Sequence, residues 1–406
     1  MPHKPDDKPR LRPCEPRPMA RTREGMEVAL RDVMGIAPGM IALSGTAYAI
    51  ASHFDGRNTL RDIQTAIARD NDGLKVDDRV LCNLADELDR AGFLDGPAFE
   101  KLHAQVLAEF RANPIREAVC AGGSYPDDPA ELRRFLDRFF THPQGPGDGG
   151  KPGAGKPVRA LVAPHIDLHR GGPCYAHAYR ALRQGCDADL FVVFGTAHAT
   201  PKRLFTLTRK SYYTPLCAVQ TDQKVVDALA AELGEDELFG DELVHRQEHS
   251  CEFQILWLKH LFGERKITAV PVLCSSIDHL SRPSERVSKF VRALRKAVKG
   301  RKVCFIAGAD LAHIGVMYGD ARGATPAELA GFKQDDLGTV KHYCAPDAHA
   351  FAMDARRNGE KRRLCGTAPM FATRLAVGED APGELLDYGQ WTDGTDSVSY
   401  CAVRLG

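Results

Sequence analysis

The feature that most constrains the fold is an alternation running through the last two thirds of the chain. Short apolar runs end in Gly, Pro or His, and stretches of helical period lie between them. VRALVAP (158–164), ADLFVVFG (188–195), KITAVPVL (266–273) and RKVCFIAGAD (301–310) read as strands. Residues 174–184, 223–233, 250–261 and 285–299 read as helices. Such alternation predicts an α/β sheet with helices packed against it. TRKSYYTPLCAVQ (208–220) adds a hairpin-like edge, so the sheet is expected to be mixed.

In an open α/β sheet, ligands gather at the strand-end loops along one edge. Four segments fall there: APHIDLHRGG (163–172), FGTAH (194–198), ADLAH (309–313) and CGTAP (365–369). If the strands before the first three are parallel, His165, His198 and His313 share an edge. Imidazole and thiolate together suit iron, copper or zinc, and a nearby carboxylate fixes an imidazole tautomer or acts as a base. Asp310, three residues before His313, is expected to face the same pocket from a helical turn. His245–Ser250 forms a further polar run before CEFQILWLKHLF. There Ser250 is expected to cap an amphipathic helix, and Glu248 and His249 to form a pocket wall, with His249 in a catalytic role. The spacing is not HExxH. His177 and His260 lie within helical patterns and read as structural.

Composition excludes several classes. Lys+Arg and Asp+Glu each number 54, so net charge argues for neither nucleic acid nor an acidic membrane as partner. No apolar run approaches the 18 residues of a membrane span. Neither GxGxxG nor GxxxxGK[ST] occurs in a strand–helix setting. The twelve cysteines show irregular spacing and no CxxC pair, which points to core thiols in a reducing cytoplasm rather than disulfides.

The 406 residues suggest two domains. Residues 1–20, rich in proline and charge, are expected to be disordered. Residues 21–110 read as a small helix-rich module with room for a short hairpin, whose helices start after Thr59, run through VLCNLADELDRAGF and start again at Pro97. Asp128 and Pro129 announce another helix. PQGPGDGGKPGAGKP (143–157) reads as a flexible loop or linker.

REAVCAGGSYPDDPAELRRFL, ALVAPHIDLHRGGPCYAHAYRAL, FVVFGTAHAT, EHSCEFQILWLKHLF, ADLAHIG, CG and DSVSYCAV, in that order over residues 115–406, resemble the Memo family, called AmmeMemoRadiSam system protein B in bacteria and archaea. The resemblance implies a LigB-like fold, shared with extradiol non-haem iron dioxygenases. It implies metal ligation by His165, His198 and Cys365, with Asp310 and His313 completing the site, and it implies Fe(II) or Cu with redox chemistry. The rival it carries is a vestigial cleft that binds a peptide or scaffolds a partner. The loop after His165 departs from the family's aromatic pattern, and Asp167 and His169 add polar groups that could alter metal choice. HFDGRNTLRDIQTAI with LADELDRAGFLDG is similar to PqqD-like winged-helix domains, which bind leader peptides. That likeness implies a peptide or radical SAM-associated protein as partner.

Overall fold

The computed structural model of the protein describes residues 2–22, 25–70, 76–199, 201–277, 283–357, 359–378 and 380–406. The chain divides into two units, Met1–Asn113 and Pro114–Gly406.

The first unit pairs three antiparallel strands, β1 (Cys14–Thr22), β2 (Gly25–Asp32) and β3 (Met40–Ser44), with helices α1 (Gly45–Ala51), α2 (Leu60–Asp70), α3 (Asp78–Arg90) and α4 (Pro97–Ala112). Thr59 starts α2 as expected: its hydroxyl accepts from Asp62 N–H at 3.1 Å, and the Asp62 carboxylate accepts from Thr59 N–H at 2.9 Å. Ile63, Leu81, Leu84, Leu88 and Phe93 form one core with Leu30 and Phe54. The sheet is larger than a short hairpin. Within residues 2–20, read as disordered, part of the backbone is paired. Leu11 N–H donates to Phe54 C=O at 2.7 Å, Arg12 N–H donates to Phe93 C=O at 2.9 Å, and β1 follows. Backbone pairing is indifferent to the charged side chains that made this segment read as unstructured.

The second unit contains β4 (Ile115–Arg116), α5 (Pro129–Thr141), β5 (Ala160–Ala163), α6 (Leu168–Gly185), β6 (Leu190–Thr196), β7 (Phe205–Leu207), β8 (Ser211–Tyr212), β9 (Gln220–Thr221), α7 (Gln223–Leu233) and α8 (Glu235–Phe239). Then come α9 (Ser250–Phe262), β10 (Thr268–Cys274), α10 (Pro283–Ala297), β11 (Val303–Gly308), β12 (Asp310–Gly315), α11 (Pro326–Cys344), α12 (Ala348–Arg357), α13 (Gly359–Arg362), α14 (Thr367–Val377), β13 (Gly383–Thr392) and β14 (Asp396–Leu405). The main sheet runs β12-β14-β5-β11-β6-β10-β7, with β13 on β14 and β9 on β10. Strands β5, β11, β6 and β10 are parallel, and β7, β14, β12 and β13 pair antiparallel. The sheet is therefore mixed. Its central strands are buried along their lengths, as expected when helices cover both faces.

Local signals hold well. Asp128 caps α5, its carboxylate accepting from Ala130 N–H at 2.9 Å and Glu131 N–H at 2.8 Å. The 208–220 segment folds back through a Tyr212–Val219 bridge. The 143–157 segment has no regular element, yet it is tied down: Gly155 N–H donates to Gln184 C=O at 3.1 Å, and Arg180 pairs with Asp148 at 3.0 Å. The run expected as one strand over 301–310 breaks at Ala309, and β12 leaves to pair with β14. Asp310 and His313 thus lie on an irregular strand, not a helical turn. Helix α9 is buried from Ser250 to Leu258 rather than amphipathic, because it packs on β6, β10 and β11 and against α5 and α6.

Candidate metal centre

Because β5, β6 and β11 are parallel and in register, their carboxyl ends deliver His165, His198 and Asp310 to one edge. The start of α9 brings His249 to the same place. Ser250 Oγ donates to Thr196 C=O at 2.8 Å, locking this helix start against the end of β6. The approach needs glycines in the facing strands. A Cβ on Gly195 would come within 2.5 Å of Ser250 Oγ, and one on Gly308 within 2.6 Å of Ser250 C=O. Ser250 is therefore not the side-chain cap expected; Glu248 accepts its N–H at 3.0 Å instead.

One ligand nitrogen each from His165, His198 and His249 lies within 4.8 Å of the others, an arrangement that could hold a metal ion. The His198 and His249 rings stack at 4.9 Å, and the His165 ring stands edge-on to both. The His165 side chain is 2% exposed, against 41% for His198 and 35% for His249, so His165 forms the floor and the other two the mouth. Cys365, at the entry to α14, places Sγ 3.3 Å from His165 Nε2.

Each ring is held from behind. His165 Nδ1 meets Gly308 C=O at 3.0 Å, and its backbone N–H donates to Asp310 Oδ1 at 2.9 Å. His198 Nδ1 lies 3.0 Å from both oxygens of the buried Glu248, and Glu248 Oε1 is 3.4 Å from His249 Nδ1. Outer partners of this kind fix the tautomer and free the other nitrogen for a ligand. Glu248 is fixed in turn. Fully buried Arg116 donates to Glu248 C=O at 2.5 Å and to His245 C=O at 2.9 Å, and pairs with Glu252. Glu252 also accepts from Cys120 N–H and the Tyr125 hydroxyl.

The electrostatics sort these groups. Burial works against the His165 cation, but Asp310 and then Cys365 outweigh it and hold the imidazole up at about 9. Burial pushes the Cys365 thiol up; His165, then His313, reverse this and keep it well below an ordinary thiol. Glu248 raises His198 against its burial, and His198 lowers Glu248 against the same effect. Burial, joined by the charges of His198 and His165, drives His249 down to about 3. Burial lifts the Asp310 carboxyl above its usual range. The pocket's acids and thiol thus favour the cations of His165 and His198, while His249 is the least basic of the three imidazoles.

Measured against expectation, the structure brings His165, His198, Cys365, Asp310 and His313 to one place. His313 lies beyond the triad, its ring edge-on to Tyr318 at 5.0 Å. His249, read as pocket wall and catalytic group, stands within the histidine cluster itself. Asp167 and His169 do not join it: Asp167 caps α6 through His169 N–H at 2.9 Å, and the His169 ring packs on Phe135. His177 meets Gln144 C=O and His260 meets Asp137, both as structural contacts. The supporting residue that sequence reasoning missed is Arg116. Its only sequence signal is a charge beside an apolar residue, and its partners lie 129 to 136 positions away.

Residues 116–404 match the family model for Memo-like protein. A MEMO1 family protein of Methanopyrus kandleri is 29% identical over 293 residues, 71% of this chain and 95% of that protein. One from Aquifex aeolicus is 24% identical over 386 residues, 93% of this chain and 96% of its own. One from Pyrococcus furiosus is 32% identical over 214 residues, 50% of this chain and 67% of its own. The matched region takes in the whole sheet and every residue of the histidine pocket, and the chain belongs to the Memo-like protein family.

Proposed function

We propose that this is a metal-binding redox protein, a non-haem oxidoreductase of LigB-like fold whose ion, iron or copper, is held by His165 and His198 with His249 and Cys365. The observation that carries the reading is the convergence of three imidazole nitrogens within 4.8 Å, with a thiolate-leaning cysteine 3.3 Å from one of them. The donor set fits such an ion. Imidazoles with a thiolate favour copper, iron or zinc over hard cations, and Gly308 and Glu248 hold the Nδ1 atoms of His165 and His198, leaving Nε2 for coordination. When bound, the ion would supply one-electron chemistry and Lewis acidity. The chain's own groups do the rest. Asp310 Oδ2, 3.5 Å from His165 Nε2 and raised by burial, is placed to hold or return a proton. His313 lines the next position outward.

The N-terminal unit is read here as a PqqD-like winged helix spanning residues 21–110. Support comes from its small antiparallel sheet and the capped α2–α3 pair. Its partner in this reading is a peptide or a radical SAM-associated protein, met in the cytoplasm. A peptide pull-down with and without residues 1–113 tests that part, and equal capture by both forms removes it.

Metal analysis of protein purified without added metal, beside His198→Ala and Cys365→Ala, tests the centre. Stoichiometric iron or copper in the parent and its loss in both variants is the expected result. No iron or copper in the parent after anaerobic reconstitution would overturn the reading and favour a non-enzymatic peptide-binding cleft. No helix among the described residues is long and apolar enough to cross a membrane.

A further inference from the structure

Strands β13, β14 and β12 place Trp391, Val398 and His313 directly opposite one another in register. Residues paired this way project from the same face. With strands about 4.8 Å apart, the Trp391 and His313 backbones are about 10 Å apart on that face. Arg170, in the first turn of α6 and five residues after His165, lies over it. The Arg170 guanidinium carbon is 3.9 Å from the centre of the Trp391 ring, and Arg170 C=O accepts from the Tyr400 hydroxyl at 2.9 Å. Tyr400 pairs with Asp310, so Arg170 is moored to the strand position that supports His165. Tyr318, edge-on to His313, lies within electrostatic reach of Asp396, Arg170, Asp310 and Cys365.

Arg170 is exposed, and its planar charge rests on an aromatic face. Among the described residues no carboxylate forms an ion pair with it. Two acids are felt across this face: Asp393 accepts from Thr395 N–H at 2.9 Å and Asp396 N–H at 2.7 Å, and Asp396 accepts from Met317 N–H at 2.9 Å. A guanidinium stacked this way keeps its in-plane N–H fork free, and that fork matches the two oxygens of a carboxylate. Tyr318, half-buried with its ring against His313 at 5.0 Å, adds a hydroxyl donor on this side.

We propose that Arg170 and Tyr318 form an oxyanion subsite beside the histidine pocket, and that the substrate is a small organic carboxylate. Its carboxylate docks on Arg170, and its other end reaches past His313 toward the triad. This rests on the functional reading above for the word substrate, but binding at the subsite requires no metal, so the two can fail separately.

Trp391 makes the test direct. The chain has two tryptophans, and the other, Trp257, is fully buried. Metal-free full-length protein is titrated with benzoate, phenyl phosphate and benzamide while tryptophan emission is followed, with Trp391→Phe as the control for signal origin. A saturable change with benzoate, absent with benzamide, is expected. Arg170→Gln should weaken it at least tenfold while metal uptake by the histidine pocket is unchanged. A tighter response to phenyl phosphate than to benzoate overturns the carboxylate assignment in favour of a phosphate ester. Equal responses to benzoate and benzamide, no saturable response, or an unaltered affinity in Arg170→Gln overturns the subsite.

Discussion

Glu248 holds His198 at two points: one carboxylate oxygen accepts the His198 backbone N–H at 2.9 Å, and both face its Nδ1 at 3.0 Å. The same carboxylate approaches His249 Nδ1 and accepts Ser250 N–H. A single buried acid therefore aims two of the three imidazoles. Glu248→Gln keeps the shape and removes the charge. Affinity for added copper or iron should fall about 10- to 100-fold, the usual cost of losing an outer-sphere carboxylate. Competition against a chelator of known affinity checks this, and an unchanged constant would show that Glu248 supports the fold but not the ion.

His249 is the imidazole already neutral at ordinary pH, so it is the readiest donor. His249→Ala should abolish stoichiometric metal as fully as His198→Ala does. Gly308→Ala should mimic it in part, because the new Cβ meets Ser250 C=O at 2.6 Å and pushes the start of α9 away. Metal analysis of both variants, with circular dichroism to show that they fold, decides the matter.

Metal uptake should release protons. His165 is held at about 9 and His198 well above an ordinary imidazole, so both are largely protonated at pH 7 and must lose their protons to coordinate. Apparent affinity should then rise as pH increases from 6 toward 9, by up to about tenfold per pH unit for each proton displaced. Calorimetry in buffers of different ionisation heat counts the protons, and a pH-independent affinity contradicts the paired state of the pocket.

Arg116 and Glu252 are buried together beneath the histidine pocket. Arg116→Met leaves Glu252 unpaired and should cost about 3–5 kcal/mol, whereas Arg116→Met with Glu252→Leu should recover much of that loss. Urea unfolding of the single and double variants measures it. Additive losses would mean the pair is not coupled.

His245 lies on the outer side of that network, its Nδ1 accepting from the Tyr212 hydroxyl at 2.8 Å and its Nε2 donating to Thr206 C=O at 2.9 Å. Both nitrogens are satisfied in the neutral ring, and burial drives it down to about 3. The unfolded chain takes up this proton near 6.5 and the folded chain does not. The contribution to stability is complete above 6.5 and is lost as pH falls from there toward 3, at about 1.4 kcal/mol per pH unit. His245→Gln should flatten that part of the unfolding profile.

Much of this was legible in advance. The β5, β6, β10 and β11 runs are continuous and apolar because helices cover both faces, and α7 falls where its periodicity put it. His165 and His198 follow strand ends, so an α/β reading placed them on an edge. His249 follows no strand, and its approach depends on Gly195 and Gly308 opening space for α9. The polar run before α9 marked His249 as pocket wall, but a contact between segments so far apart in the chain does not show locally that it joins the other two imidazoles. Arg116 and Glu252 gave no signal for the same reason: local sequence does not say which charges are paired in the interior. Residues 1–20 read as unstructured because composition reports on side chains, whereas β1 is held by backbone pairing.

By itself, then, the sequence determined the alternation of strand and helix, the family, and the histidines offered at strand ends, since these follow from hydrophobic period and from motifs short enough to read locally. Tertiary structure alone decided that His249 joins His165 and His198, and that Asp167 and His169 are spent on capping and packing. Those outcomes depend on strand register, on the packing of α9 against β6, β10 and β11 and on the buried Arg116–Glu252 pair, each a contact between residues far apart in the chain.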